Sequence, residues 1–176
     1  LTIALDIMGG DHGPPVILSA AKQAIQTLPD VQFILCGREE IISPALEDLT
    51  DDQRQRVVVQ HCEQSVEMGE APTSALRNKK QSSMRKMLEL VEAGEAHACV
   101  SAGNTGALLT LAFYVLKTLP GIDRPALVSD MPTASHHRVF LLDLGANVNC
   151  TSEILFQYGV MGSVLAEQIS GIQQPR

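Results

Sequence analysis

The stretch AHACVSAGNTGALLTLAFYVLK, residues 96–117, carries the pattern that decides the fold. Its first part, Ala96 to Ser101, is a short apolar run that is expected to be a strand. A turn of small residues leads from this strand into Asn104 to Lys117, which is apolar nearly all round and is therefore expected to be a buried helix. The stretch predicts one strand–turn–helix unit.

The rest of the chain repeats this unit. Further strands are predicted at 2–6, 31–36, 57–62, 126–129 and 139–144, further helices at 16–28, 39–49, 82–93 and 152–169, and a loop at 63–74. Alternating strands and helices predict an α/β fold with three α/β/α layers around a mainly parallel sheet. Ligands of such sheets bind outside the carboxyl ends of the strands, so the chemistry is expected in the segments that follow them.

Composition limits the class of protein. The 176 residues, 45% of them hydrophobic, suffice for one domain, and the net charge of −7 argues against general nucleic-acid binding. The start lacks the basic region of a signal peptide, and the longest apolar stretch, 106–116, is shorter than the about 20 residues that span a bilayer. A soluble cytoplasmic protein is expected. Four cysteines without C-x-x-C spacing are expected to be buried free thiols: Cys36, Cys62, Cys99 and Cys150.

The first candidate site segment is DIMGGDH, residues 6–12. Gly9 and Gly10 allow the backbone to approach a ligand closely. The side chains that could position a ligand or handle protons there are Asp6, Asp11 and His12. The alternative is a tight turn with Asp11 capping the next helix.

The second candidate segment is SAGNTG, residues 101–106, between a strand and a helix. Free N–H groups at a helix N-terminus bind anions, so the segment favours phosphate binding. It lacks the lysine and spacing of a P-loop and is not G-x-G-x-x-G. The residues assigned to this site are Ser101, Gly103, Asn104, Thr105 and Gly106. The alternative is plain helix capping by Asn104 or Thr105.

A run of cations, RNKKQSSMRK at residues 77–86, stands out in an acidic chain. Such a run is usually a solvated helix face. Here it surrounds Ser82 and Ser83, which could cap a helix, and cations near a helix N-terminus favour an anionic partner. Lys79 and Lys80 are the candidates for offsetting the charge of phosphate.

Two later segments hold the remaining candidates, and the second of them, LLDLGAN, repeats the pattern of the first candidate segment. Arg124, within PGIDRP, could bind a phosphate or carboxylate, and it could equally belong to a surface loop. Asp143, Gly145 and Asn147, within LLDLGAN, could orient a ligand or cap the N–H groups of a turn. His136 and His137 are interpreted as loop residues. Since there is no G-x-S-x-G motif, direct attack by a bound substrate is favoured over a covalent acyl-enzyme.

Five segments in this order resemble the phosphate acyltransferase family of bacterial phospholipid synthesis, PlsX: ALDIMGGDHGP, RNKKQSSM, VSAGNTGALL, PGIDRPAL and LLDLGANVNC. The resemblance covers the whole chain as the N-terminal part of a single α/β domain, because family members are roughly twice as long. It implies a fold similar to isocitrate and isopropylmalate dehydrogenases and to phosphotransacetylase. The implied reaction converts acyl-ACP and inorganic phosphate to acyl phosphate and free acyl carrier protein.

The resemblance also implies partners: acyl carrier protein, a second copy in a homodimer and peripheral contact with the membrane. Neither metal nor organic cofactor is expected, because phosphate is itself a competent nucleophile. The catalytic candidates are Asp6, Asp11, His12, Lys79, Asn104 and Asp143. Three alternatives stay open: a phosphotransacetylase-like enzyme acting on acyl-CoA, a metal- and NAD-dependent hydroxyacid dehydrogenase, and a non-catalytic fragment that binds phosphate or acyl carrier protein.

Overall fold

A computed structural model describes residues 1–134, 138–147 and 149–175 of the chain. It forms two compact units, Leu1–Lys117 and Thr118–Arg176. His136 and His137, interpreted above as loop residues, lie outside the described part of the chain.

The first unit is built on four parallel strands in the order β3-β2-β1-β4. Their bounds are β1 Thr2–Asp6, β2 Gln32–Gly37, β3 Val57–His61 and β4 Ala98–Val100. The register pairs Asp6 with Cys36 and Cys36 with Gln60, so three strands end together at one edge. The predicted parallel sheet is confirmed, and its carboxyl edge is where the candidate segments begin.

Six helices cover this sheet: α1 Pro14–Thr27, α2 Glu39–Ala45, α3 Asp51–Arg54, α4 Pro72–Asn78, α5 Ser83–Glu92 and α6 Thr105–Leu116. Side chains alternate between the faces of a strand, so Phe33 of β2 packs in one core while Ile34 packs against the other. The first core includes residues of α1 and α2, and the second includes residues of α4, α5 and α6. The sheet therefore lies between two helical layers, as predicted.

Two helices were absent from the prediction. The loop expected at 63–74 ends at Ala71 because Pro72 begins α4, a position where a missing N–H costs nothing. The helix expected at 39–49 ends at Ala45, and a separate helix, α3, begins after Thr50. Thr50 and Gln53 form a capping box, which accounts for this new start.

Burial of α6 was predicted wrongly. Ala107 and Leu111 are buried, but Phe113 and Tyr114 keep 46% and 60% of their surface exposed. The reason is that α6 packs on α4 and α5 along one side. The exposed ring of Tyr114 has the Arg85 guanidinium over it, 5.5 Å from the ring centre. Within the described residues, no helix has the length and hydropathy needed to cross a membrane.

The thiol prediction is confirmed for two cysteines. Cys36 and Cys62 are free and buried, whereas Cys99 and Cys150 are free but partly exposed. A hydrogen bond with Cys62, together with burial, holds the pKa of Cys36 well above its ordinary value. These two thiols belong to the core beneath the carboxyl edge of the sheet.

In the described part of the second unit, the strands are β5 Val128–Pro132 and β6 Arg138–Leu142, and the helix is α7 Ser152–Ser170. The strands pair antiparallel with each other, Asp130 opposite Phe140, and their bounds differ from the predicted 126–129 and 139–144. Parallel pairing would need a crossover connection, usually a helix, and the segment between these strands is too short for one. The strands therefore pair antiparallel. Helix α7 agrees with the predicted 152–169 and ends at Gly171, whose φ of 65° suits glycine.

Arg56, at the start of β3, fixes the end of α1. Its guanidinium donates to three backbone carbonyl oxygens, those of Ile25 at 2.7 Å, Leu28 at 3.0 Å and Val31 at 2.9 Å. The last carbonyl groups of a helix have no partner within the helix. The Arg56 side chain supplies hydrogen bonds to such a group of α1 and to the turn that follows.

We expect Arg56→Ala to lower the free energy of unfolding by about 2–3 kcal/mol, because hydrogen bonds from a charged donor are lost and the carbonyls lose their partner. Urea unfolding followed by circular dichroism measures the change. Arg38→Ala is the matched control, since Arg38 is exposed and makes no capping bond through its side chain. Equal midpoints for the two variants would show that the Arg56 bonds carry no net stability.

Candidate active site

Three predicted segments meet at the carboxyl edge of the sheet in the first unit. A Cβ atom on Gly9 would lie 2.8 Å from Asp6 Oδ2 and 3.0 Å from the Gly103 nitrogen. A Cβ atom on Gly103 would lie 2.7 Å from Met84 Cε. The turn after β1, the loop after β4 and the first turn of α5 are thus packed so closely that a Cβ atom on Gly9 would meet the Gly103 backbone and one on Gly103 would require the Met84 side chain to move.

Asp6 lies at the centre of this contact and is 3% exposed. Its Oδ1 accepts hydrogen bonds from Ser83 Oγ at 2.6 Å and the Met8 N–H at 3.2 Å, and its Oδ2 accepts one from Ser101 Oγ at 2.7 Å. Ser101 Oγ in turn accepts the Gly103 N–H at 3.0 Å. One carboxylate therefore joins β1 to the start of α5 and to the loop after β4.

The N-terminus of α6 presents free backbone donors. The N–H groups of Ala102, Asn104, Thr105 and Gly106 make no hydrogen bond to any described residue. Ala102, Thr105 and Gly106 are also exposed. Since the helix dipole adds partial positive charge at this end, the loop has the properties of an anion site.

Asn104 is engaged with the protein at both ends of its side chain. Its Oδ1 caps α6 by accepting the Ala107 N–H at 3.0 Å. Its Nδ2 donates to the carbonyl oxygens of Glu67, Met68 and Glu70 at 3.2, 2.9 and 2.8 Å. Asn104 thus holds the loop before α4 against the start of α6, a contact that the sequence did not reveal. Its predicted catalytic role stays a prediction.

The cationic run is partly neutralised. Lys79 Nζ lies 3.8 Å from Glu70 Oε2. Arg85 and Lys86 both reach Glu89, at 2.8 and 2.9 Å. Burial alone would raise the pKa of Glu89, but the bonds from these two cations outweigh it and lower the pKa.

Other members of the run differ in exposure. Arg77 and Lys80 are exposed and have no ion pair among the described residues. Ser82 is buried as the cap of α5, accepting the Arg85 N–H at 3.4 Å and donating to the Lys79 carbonyl at 2.8 Å. Asp11 and His12 are exposed in the turn that contains Gly10. A ligand could therefore reach both side chains without any movement of the core.

The remaining candidates lie in the second unit. Asp143 accepts the N–H groups of Leu127 at 2.8 Å and Asn147 at 2.6 Å, and Asn147 Nδ2 donates to the Pro125 carbonyl at 3.1 Å. Burial would raise the pKa of Asp143, but these hydrogen bonds outweigh it and lower the pKa. The structure shows the turn-capping alternative for Asp143. Two further candidates, Arg124 and Gly145, are exposed.

Comparison with known proteins places the chain in context. All of it, residues 1–176, matches the family model described as "Fatty acid synthesis protein". A phosphate acyltransferase of Halorhodospira halophila (strain DSM 244 / SL1) is 52% identical over 179 residues, covering all of this chain and 51% of its own length. A phosphate acyltransferase of Pseudoalteromonas atlantica (strain T6c / ATCC BAA-1087) is 53% identical over 176 residues, covering all of this chain and 52% of its own. The chain spans about half the length of these relatives.

A solved structure confirms the fold. The crystal structure of a branched-chain phosphotransacylase from Enterococcus faecalis V583 matches with a TM-score of 0.62 and 18% identity. The match covers 98% of this chain and 54% of that protein. At this identity the likeness concerns the fold, which agrees with the predicted phosphotransacetylase-like architecture.

We expect Asn104→Asp to loosen the loop before α4, because a second carboxylate oxygen would face the three carbonyls that Nδ2 now binds. The destabilisation should be about 1–3 kcal/mol. Hydrogen–deuterium exchange at the Glu67 and Glu70 amides, both hydrogen-bonded in the loop, reports it locally. Asn104→Ser also loses Nδ2 but keeps a capping oxygen and adds no charge, so a smaller rise in exchange than in Asn104→Asp measures the effect of the added charge apart from that of the lost bonds. Unchanged exchange in Asn104→Asp would contradict the proposed contact.

The second unit should lose stability in acid through Asp143. Because its folded-state pKa lies below the unfolded value of about 3.9, the stabilisation is complete above that pH and is lost as pH falls through the folded pKa. NMR shifts of the Leu127 and Asn147 amides follow the titration. Asp143→Asn should remove that pH dependence, and an unchanged acid profile in the variant would assign the effect to another group.

Proposed function

The chain belongs to the fatty acid synthesis protein family, and we propose that it is part of an acyltransferase that moves an acyl group from a thioester to inorganic phosphate. The finer form of the proposal is that acyl carrier protein delivers the fatty acyl group and that the acyl phosphate serves phospholipid synthesis. The observation that carries the proposal is the set of free N–H groups at the start of α6.

Phosphate suits this position for three reasons. The N–H donors of Ala102, Asn104, Thr105 and Gly106 have no partner within the part of the chain that the structure describes, and the positive end of the α6 dipole lies behind them. The close packing at Gly9 and Gly103 holds the loop after β4 against the turn after β1, which keeps these donors in place. Exposed Lys80, and Lys79 beside it, supply positive charge from a neighbouring part of the same unit.

The proposed reaction is direct substitution. A phosphate oxygen attacks the carbonyl carbon of the thioester, and the new C–O bond forms a tetrahedral intermediate. The C–S bond then breaks, the carrier leaves as a thiolate that takes up a proton from water, and the product is an acyl phosphate. N–H donors aimed at the developing oxyanion lower the barrier, and holding both reactants in register lowers it further. Asp11 and His12 are the accessible candidates for proton handling.

The proposed carrier surface is the cationic run at 77–86. Acyl carrier protein is acidic, and Arg77 and Lys80 are the cations of this run that are exposed and without an ion pair among the described residues. Arg85 and Lys86 are held by Glu89, which weakens their contribution. The homodimer, the peripheral membrane contact and the cytoplasmic location stay predictions for the whole protein.

We expect Thr105→Pro to weaken binding of inorganic phosphate about tenfold, because one N–H donor to a charged ligand is lost. The substitution suits the structure: Thr105 is the first residue of α6, and Asn104 before it has φ −58° and ψ 110°, close to the conformation that precedes proline. Thr105→Ala keeps the N–H and loses only the hydroxyl, so it should bind phosphate more tightly than Thr105→Pro. Titration followed by amide NMR shifts measures both.

Turnover is tested separately by trapping acyl phosphate with hydroxylamine from long-chain acyl carrier protein and phosphate. Phosphate-dependent product, obtained from acyl carrier protein in preference to acyl-CoA, supports the finer proposal. Preference for acyl-CoA would favour the phosphotransacetylase-like alternative. Binding of phosphate without product in both this chain and the full-length relative from Halorhodospira halophila would reject acyl transfer.

A further inference from the structure

Resting on the phosphate site proposed above, we infer that Asp6 is a positioning residue, which acts on that site through Ser101 and contacts neither phosphate nor thioester. Asp6 is the last residue of β1, and its two hydroxyl partners lie 77 and 95 residues further along the chain. A single side chain therefore sets the relation between three segments that the sequence keeps far apart.

Asp6 has no access to a ligand. It is 3% exposed, and it packs so closely on Gly9 that a Cβ atom there would lie 2.8 Å from Asp6 Oδ2. Both of its oxygens are already engaged, one by Ser83 and Met8 and the other by Ser101. These three hydrogen bonds take up most of the about four acceptor positions of a carboxylate, and they come from the protein itself, which suits a residue that holds other segments in place.

The path from Asp6 to the loop is a chain of two hydrogen bonds. Because the Ser101 hydroxyl donates its proton to Asp6 Oδ2, its oxygen is left to accept, and it accepts the Gly103 N–H. Hydrogen bonds to a carboxylate are stronger than those between neutral groups, so the hydroxyl is held in this orientation. The Gly103 peptide is thereby fixed, and the free N–H groups of Asn104 and Thr105 follow directly in the chain.

Charge alone would give Asp6 the opposite effect. A carboxylate beneath a bound anion repels it, so removing the negative charge should tighten phosphate binding if electrostatics were its only influence. If Asp6 acts by orienting the loop, removing the charge should weaken binding, because the donors are no longer held in place. The sign of the change therefore separates the two possibilities.

The test is a double-mutant cycle with Asp6→Asn, Ser101→Ala and the double variant. Inorganic phosphate is titrated into each, and the amide shifts of Thr105 and Gly106 report binding. Each single variant should bind phosphate about five- to tenfold more weakly, and the double variant should be no weaker than the weaker single one, because both act through one path. Arg56→Ala, destabilised at the far end of α1, controls for a general loss of stability.

Tighter or unchanged binding by Asp6→Asn would overturn the inference, as would fully multiplicative losses in the double variant. A loss of the same size in Arg56→Ala would also overturn it, since stability alone would then explain the effect. If Asp6→Asn does not give a native spectrum, Ser101→Ala carries the test, and binding as tight as that of the unmodified chain would overturn the inference. Absence of phosphate binding by the unmodified chain would reject the phosphate site itself, a result distinct from these.

Discussion

The hydrogen bonds to the buried carboxylate of Asp6 are the interaction on which the rest of the first unit depends. Burying a carboxylate is costly unless its oxygens are bonded, and here two hydroxyls and one backbone N–H supply the bonds. The two hydroxyls come from α5 and from the loop after β4, so the hydrogen bonds that satisfy Asp6 also bring these segments together. Loss of either hydroxyl leaves the charge less well satisfied and the corresponding segment less well placed.

Close packing adds a second constraint to this one. The turn after β1 and the loop after β4 touch through Gly9 and Gly103, where any Cβ atom would fall inside normal contact distances. Asn104 then extends the assembly to the loop before α4 by binding three of its carbonyls. The start of α6 is therefore held by hydrogen bonds to the Asp6 carboxylate and by those of Asn104, while Lys79, Arg85 and Lys86 of the cationic run are paired with Glu70 and Glu89.

The parallel sheet could be predicted from sequence because each of its strands is a short apolar run followed by a turn. The sequence prediction was wrong for the start of α4, for the burial of α6 and for the pairing of β5 with β6. Helix α4 begins at Pro72, a residue typical of loops as well as of first helical turns. Helix α6 is apolar on all sides, yet the first unit supplies neighbours on one side, so composition overstated its burial. The pairing of β5 with β6 depends on the length of their connection, which periodicity does not record.

The candidate site shows a more general limit of reading chemistry from side chains. Ser83, Ser101, Asn104 and Asp143 were predicted from residue type, and in the structure each binds other parts of the protein. The N–H groups of Ala102, Asn104, Thr105 and Gly106 make no hydrogen bond to any described residue, and no motif of side chains distinguishes such groups, because every residue except proline has one. The predicted polar side chains of this loop hold its backbone in shape. The sequence predicted that the loop follows a strand at the carboxyl edge of the sheet and that its backbone donors are available to an anion, but it could not predict the long-range hydrogen bonds that engage its side chains, because their partners lie far away along the chain.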